Sequence, residues 1–200
     1  MPSLTDQVVI ITGASSGIGE ATARRLAHGG AKLVISGRRG GRLEAVAREL
    51  DPSGGRVLAM PGDVTNEPDR RRLVEAAREK FGRIDGLVNN AGYGTRGPVE
   101  LVPVELIRRN FETNLFSLIA LTQLVIPVMR AQAPDPARGG CHGRIINIGS
   151  VAGRIARPLS SVYDSTKHAL EAITDGLRGE LPVFGLEVVL IRPGLILTEF

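Results

Sequence analysis

The chain of 200 residues contains no tryptophan, two tyrosines, five phenylalanines and one cysteine. A lone Cys141 excludes an internal disulfide and a cysteine-rich metal site, and it points to a reducing compartment, here expected to be the cytoplasm. So few aromatics leave no stacking platform for nucleic-acid bases. The formal charge is +4, but it comes from 22 arginines and three lysines scattered along the chain. The run Arg70-Arg71-Arg72 falls in a helical period, where like charges form a solvated face. No nucleic-acid partner is therefore expected. No apolar run reads as long enough to span a bilayer, and residues 1–7 hold no secretory hydrophobic segment. His28 and His142 lack the company that a metal site needs, so no metal is expected. The length suits one domain, residues 1–200, with a sizeable core.

What the chain does contain is alternation. Val8–Ile11 is a β-branched run, too short for a buried helix, and it leads into the loop Gly13-Ala14-Ser15-Ser16-Gly17-Ile18-Gly19. The apolar period then becomes helical through Ile18, Thr22 and Leu26. Further strands are expected at Lys32–Ser36, Arg56–Met60, Asp85–Asn89, Arg144–Ile148 and Leu186–Ile191. Helical periods separate them, including a long one from Phe111 through Met129 and another from Val162 to Leu181. Strands and helices in this rhythm imply right-handed βαβ crossovers. The expected fold class is α/β, a doubly wound parallel sheet of Rossmann-like kind in three α/β/α layers. Ala131–Gly143 lacks periodicity and reads as an exposed, mobile loop.

In such sheets ligands bind beyond the carboxyl ends of the strands, and the chemistry-bearing residues follow strands here. A glycine turn between strand and helix lets backbone N–H groups approach a pyrophosphate at the positive helix end, so Gly13, Ser15, Ser16, Gly17, Ile18 and Gly19 read as a dinucleotide cradle. Its spacing is GxxxGxG. An acid that would hold a ribose 2′-OH is expected about 20 residues further on. That place holds Gly37 followed by Arg38 and Arg39. Two guanidinium groups suit a 2′-phosphate, and as mere helix-start residues they would oppose the dipole, so NADP(H) is the expected cofactor. Tyr163 and Lys167 are four residues apart in a helical segment and share a face. An ammonium beside the phenol would lower its pKa toward useful proton exchange. Ser150, after the fifth strand, offers a hydroxyl to a carbonyl oxygen, or else caps a turn.

Taken in order, these motifs resemble a classical short-chain dehydrogenase/reductase over nearly the whole chain. TGxxxGIG is Thr12–Gly19, followed by Asp63-Val64, then NNAG at Asn89–Gly92 and an asparagine in the long helix at Asn114. Ser150, YxxxK at Tyr163 and Lys167, and PGxxxT at Pro193, Gly194 and Thr198 complete the series. The resemblance implies that Tyr163 is the general acid in carbonyl reduction and the base in alcohol oxidation. Lys167 would lower its pKa and bind the nicotinamide ribose. Ser150 would orient the substrate oxygen, and Asn114 would hold a water of the proton relay. Asp63 and Val64 would contact adenine, Asn90, with Ala91 and Gly92 beside it, the adjacent ribose, and Thr198 the carboxamide. His168 follows Lys167 but points about 100° away around a helix, so it is expected to be structural or exposed. Tyr93 is placed at the cleft mouth, and the likeness hints at hydrophobic alcohols and ketones.

Family members run further, so the resemblance implies that a substrate lid and one more strand are lacking in these residues. The helices of Asn114 and Tyr163 supply one usual subunit contact, which implies a homodimer or homotetramer. A nucleotide-binding sensor or scaffold without turnover is the alternative to an enzyme. The retention of Ser150, Tyr163 and Lys167 together favours the enzyme.

Overall fold

The structure is a computed structural model that describes residues 4–135 and 140–198. Its frame is a six-stranded parallel sheet in the order β3-β2-β1-β4-β5-β6. The strands are β1 (Val8–Thr12), β2 (Lys32–Gly37), β3 (Val57–Pro61), β4 (Gly86–Asn89), β5 (Gly143–Ile148) and β6 (Leu186–Ile191). Every residue of β1 is buried, as the continuous β-branched run requires of a central strand covered on both faces. On one face Val9, Ile11, Leu33 and Ile35 pack with Ala23 of α1 (Gly17–His28) and Leu43 of α2 (Gly40–Leu50). On the other, Ile10, Leu87 and Ile145 meet Leu73 and Ala77 of α3 (Glu67–Phe81) and Leu121, Val125 and Met129 of a long helix. These are the three expected layers.

That helix is built in pieces: α4 (Val104–Phe111), a wide π turn at Glu112–Phe116, and α5 (Ser117–Ala131). It therefore begins seven residues before the expected apolar period. The uninterrupted span Val104–Ala131 has a mean hydropathy of 1.5 in its most apolar window, enough by length and composition to cross a membrane, which corrects the sequence expectation. Here its apolar stripe is spent on the sheet, as in a core helix. The last helix, α6 (Ser161–Glu180), meets it through Leu115, Leu118 and Leu170. β6 alternates between buried and exposed positions. Val189 and Ile191, which continue the α1/α2 face of the sheet across β5, remain exposed.

Strand ends differ from expectation by a residue where side chains intervene. β3 starts at Val57, because the Asp51 carboxylate accepts the N–H groups of Arg56 (2.5 Å) and Val57 (3.0 Å). The loop expected to be exposed at Ala131–Gly143 is pinned at both ends. Gln132 donates to the carbonyls of Ile84 (2.8 Å) and His142 (2.5 Å), and Cys141 is buried. Residues 136–139 of that loop lie outside the described residues.

Asp51 also gives a test of acid stability. Its hydrogen bonds, the Ser53 hydroxyl first, hold the carboxyl at about 2 instead of 3.8. The folded carboxyl is thus the stronger acid, so its contribution is complete above pH 3.8 and is lost as pH falls through about 2. Asp51→Asn should be less stable than wild type at neutral pH, with the difference in urea midpoint closing in that acid window. A gap independent of pH would refute the assignment.

Candidate active site

The sheet order reverses between β1 and β4, and at this point the chain runs outward on both sides, opening a crevice at the strand carboxyl ends. One cavity of about 550 Å³ occupies it. Loops after all six strands border it, and every residue expected to bind the coenzyme or take part in catalysis lines it except Gly19 and Asn114. Those two act from behind. A Cβ on Gly19 would stand 2.4 Å from the Gly13 carbonyl oxygen, so this glycine lets α1 close on β1. Gly13 and Gly17 have φ of 66° and 57°, the left-handed conformation that glycine adopts without strain.

At the nucleotide end, the first turn of α1 faces the cavity with its capping residue Ser16 making no side-chain cap. Unused helix N–H groups beside small residues fit a pyrophosphate. Arg39 folds back across this loop, its Nε 3.3 Å from Ser15 Oγ and Nη2 2.5 Å from Ser16 Oγ. Arg38 is exposed at the cavity rim, and its guanidinium makes no hydrogen bond or ion pair among the described residues. The Asp63-Val64 turn is held from α3: Asp69 accepts the Asp63 N–H (2.8 Å), and Arg70 donates to the Val64 carbonyl (2.6 Å). Asn90, expected at a ribose, spends its amide on the Thr12 and Gly13 carbonyls (2.9 and 3.2 Å) and so braces the glycine turn. Thr12 answers by accepting the N–H groups of Asn90 and Ala91. This bracing role of Thr12 was not legible in the sequence.

The opposite end holds the hydroxyls. Ser150 Oγ accepts from the Ala152 N–H (3.1 Å), capping the short turn Val151–Gly153, and is also hydrogen-bonded to the Tyr163 phenol. The turn-capping reading of this serine holds. Lys167 is buried and donates from Nζ to the Ile148 carbonyl at 2.8 Å, with Nζ 5.8 Å from the centre of the Tyr163 ring. Burial alone brings this ammonium down to about 8. The phenol behaves contrary to the sequence expectation. Burial raises its pKa above 10.0, against the opposing pulls of the Ser150 hydroxyl and the Arg157 charge. The Lys167 ammonium is directed at the Ile148 carbonyl of β5.

Arg157 is the functional neighbour that the sequence did not disclose. Its backbone N–H and guanidinium both bind the buried Asp164 carboxylate, at 2.8 and 2.6 Å. The only signal was an acid directly after Tyr163, inside YxxxK. Asn114 lies in the π turn, where the widened helix aims it at the loop after β4. It accepts the Tyr93 N–H (3.0 Å) and donates to the Tyr93 carbonyl (3.0 Å) and Thr166 hydroxyl (3.1 Å). Tyr93 lines the cavity, and His168 is exposed. Among the described residues no cluster of His, Cys, Asp or Glu could hold a metal ion.

The family model described as short chain dehydrogenase matches residues 7–200. An oxidoreductase of Staphylococcus saprophyticus is 38% identical over 201 residues, covering 100% of this chain and 78% of its own length. Another, from Methylorubrum extorquens, is 38% identical over 202 residues, covering 100% of this chain and 77% of its own. Among solved structures, a short chain dehydrogenase/reductase from Burkholderia phymatum in complex with NAD superimposes with a TM-score of 0.90 at 29% identity, over 99% of this chain and 69% of that one. The 3-ketoacyl-(acyl-carrier-protein) reductase of Brucella melitensis, complexed with NADH, gives 0.89 at 38% identity, over 98% and 78%. With the glycine cradle, the Ser150–Tyr163 pair and Lys167 brought to one crevice, this chain belongs to the short-chain dehydrogenase/reductase family of oxidoreductases.

Proposed function

We propose that the protein is an NADP(H)-dependent oxidoreductase that interconverts a carbonyl and an alcohol, with Tyr163 as the general acid and base. The observation that carries this reading is the joining of two unlike ends in one cavity. A helix N-terminus with Arg38 stands at one end, and the Ser150–Tyr163 hydroxyl pair beside Lys167 at the other. The residues fit a nicotinamide dinucleotide. The glycines leave room that a Cβ would fill, and helix N–H groups and a guanidinium suit its phosphates.

The coenzyme, when bound, supplies or accepts the hydride. The chain manages the proton and the position. Ser150 Oγ holds the carbonyl oxygen next to the phenol. In reduction the Tyr163 O–H bond breaks, its proton passes to that oxygen as negative charge develops there, and its electron pair stays on the phenolate. Lys167 stabilises the phenolate once formed, and solvent restores the proton. Oxidation reverses each step. Tyr93, Gly94 and Ile196 also line the cavity and carry no charge, which suits a hydrophobic substrate.

Arg38 is the proposed partner of the 2′-phosphate, since Arg39 is already engaged with Ser15 and Ser16. Arg38→Ala should weaken NADPH binding about tenfold or more and leave NADH binding little changed, the loss of one charge-assisted contact. Titration of both coenzymes into both proteins measures this. Equal losses, or tighter NADH binding by wild type, would overturn the preference. A panel of hydrophobic ketones and aldehydes then tests the activity, and tight NADPH binding without turnover of any would favour a sensor. The assembly we infer is a cytoplasmic homodimer or homotetramer through the helices of Asn114 and Tyr163, where Phe116 is half-exposed. Sedimentation at the one-chain mass of 21.3 kDa would contradict it.

A further inference from the structure

One buried carboxylate fastens two loops of the crevice to the helix that carries the proton donor. Glu171 lies one turn beyond Lys167 on α6, and its side chain is 8% exposed. Arg192 grips it with both arms, Nε to Oε1 at 2.6 Å and Nη2 to Oε2 at 2.6 Å. Arg154 Nε stands 3.0 Å from Oε2. These arginines hold the carboxyl below its ordinary range, so it is charged at neutral pH. Arg192 directly follows β6 and immediately precedes Pro193-Gly194, which line the cavity. Arg154 immediately follows the turn that Ser150 caps. The two loops also touch directly, the Val151 N–H donating to the Pro193 carbonyl at 3.1 Å. A Cβ on Gly153 would come within 2.9 Å of both Glu171 Cγ and the Lys167 carbonyl, so the turn lies flat against α6.

Burying the Glu171 carboxylate costs desolvation that offsets much of its attraction to the two more exposed arginines, so the cluster adds little net stability. What it fixes is geometry. We propose that Glu171 is a positioning residue: through Arg154 and Arg192 it clamps the Ser150 turn onto α6 and so keeps the Ser150 hydroxyl on the Tyr163 phenol. The inference rests on the reading of Ser150 and Tyr163 as the reacting pair, but the contact itself is measurable without coenzyme or substrate.

With no tryptophan and two tyrosines in the chain, a Tyr93→Phe background leaves Tyr163 as the sole phenol. Its ionisation is followed by tyrosinate absorbance after rapid mixing to alkaline pH. Glu171→Gln should move the midpoint upward by about half a unit to one unit, the loss of one hydrogen bond to the phenolate. Removal of a nearby anion by itself would move it downward, so the sign separates positioning from direct electrostatics. Ser150→Ala should give the same upward shift, and the double variant no more than either alone. The charged groups around the phenol, Arg157, Asp164 and Lys167, are untouched in every variant. An unchanged or lowered midpoint, or shifts that add, would overturn the proposal. Should Glu171→Gln not fold, Arg154→Met removes a guanidinium that is 61% exposed. Its upward shift must likewise vanish in the Ser150→Ala background, and an additive shift overturns the proposal equally. Failure of wild type to bind NADPH would sink the proposed function and leave this titration intact.

Discussion

Tyr163→Phe is expected to bind NADPH as wild type does and to reduce carbonyls at least about 10²-fold more slowly, the lower range for loss of a positioned acid. The ring fills the same space, so the cavity keeps its shape and only the O–H is lost. The direction of the phenol's pKa sharpens the expectation. Burial holds it above 10.0, so at neutral pH Tyr163 carries its proton and is ready to donate it. Reduction by wild type should therefore be nearly level through neutral pH. Alcohol oxidation needs the phenolate, whose fraction grows tenfold per pH unit below the pKa, so the oxidation rate should climb with pH. Steady-state rates in both directions across the pH range, for wild type and Tyr163→Phe, measure both effects. Near-normal reduction by the phenylalanine variant would show that the proton comes from elsewhere.

The strand carboxyl ends were readable because parallel sheets place their ligands there and because the glycine loop directly follows the β-branched run Val8–Ile11. Gly13–Gly19 after β1 and Ser150 after β5 are placed by strand register alone. Hidden from the sequence were interactions between residues distant along the chain. Asn114 reads as a polar residue in a helix. Only the π turn and its bonds to Tyr93 and Thr166 show that it anchors the loop after β4. Arg38 and Arg39 are equivalent on paper, and the difference appears when Arg39 folds onto Ser15 and Ser16. The phenol's pKa was misjudged for a related reason. Spacing of four residues gives a shared helix face, but burial and the direction of the lysine are properties of the packed site. The apolar length of Val104–Ala131 was also underestimated, since it accumulates across α4, the π turn and α5 with no single long run.

Lys167→Met is expected to cripple the enzyme while making the fold more stable. The ammonium is buried and donates to a neutral carbonyl, that of Ile148 at 2.8 Å. Burial brings it down from 10.5 to about 8, so at neutral pH the folded chain still carries a charge that the interior disfavours. In the unfolded chain the lysine keeps its proton up to its ordinary pKa. Between about 8 and 10.5 the unfolded state thus binds more protons, and stability rises with pH across that window. Below it the full cost is present, on the order of 3 kcal/mol for a shift of this size. Methionine fills similar volume without charge. It leaves the Ile148 carbonyl without its donor, which offsets about 1–2 kcal/mol of the gain. The net expectation at pH 7 is a Tm higher by a few degrees, at about 2–4 °C per kcal/mol for a chain of this length. Turnover should fall at least about 10²-fold, with weaker NADPH binding, because the proposed function assigns both phenolate stabilisation and a ribose contact to this one side chain. Thermal unfolding of both proteins between pH 7 and 10 measures the trade. The gap in Tm should narrow above pH 8 as the wild-type lysine sheds its proton. A methionine variant less stable than wild type at pH 7, or a gap that widens with pH, would mean that the buried lysine serves the fold and not the chemistry.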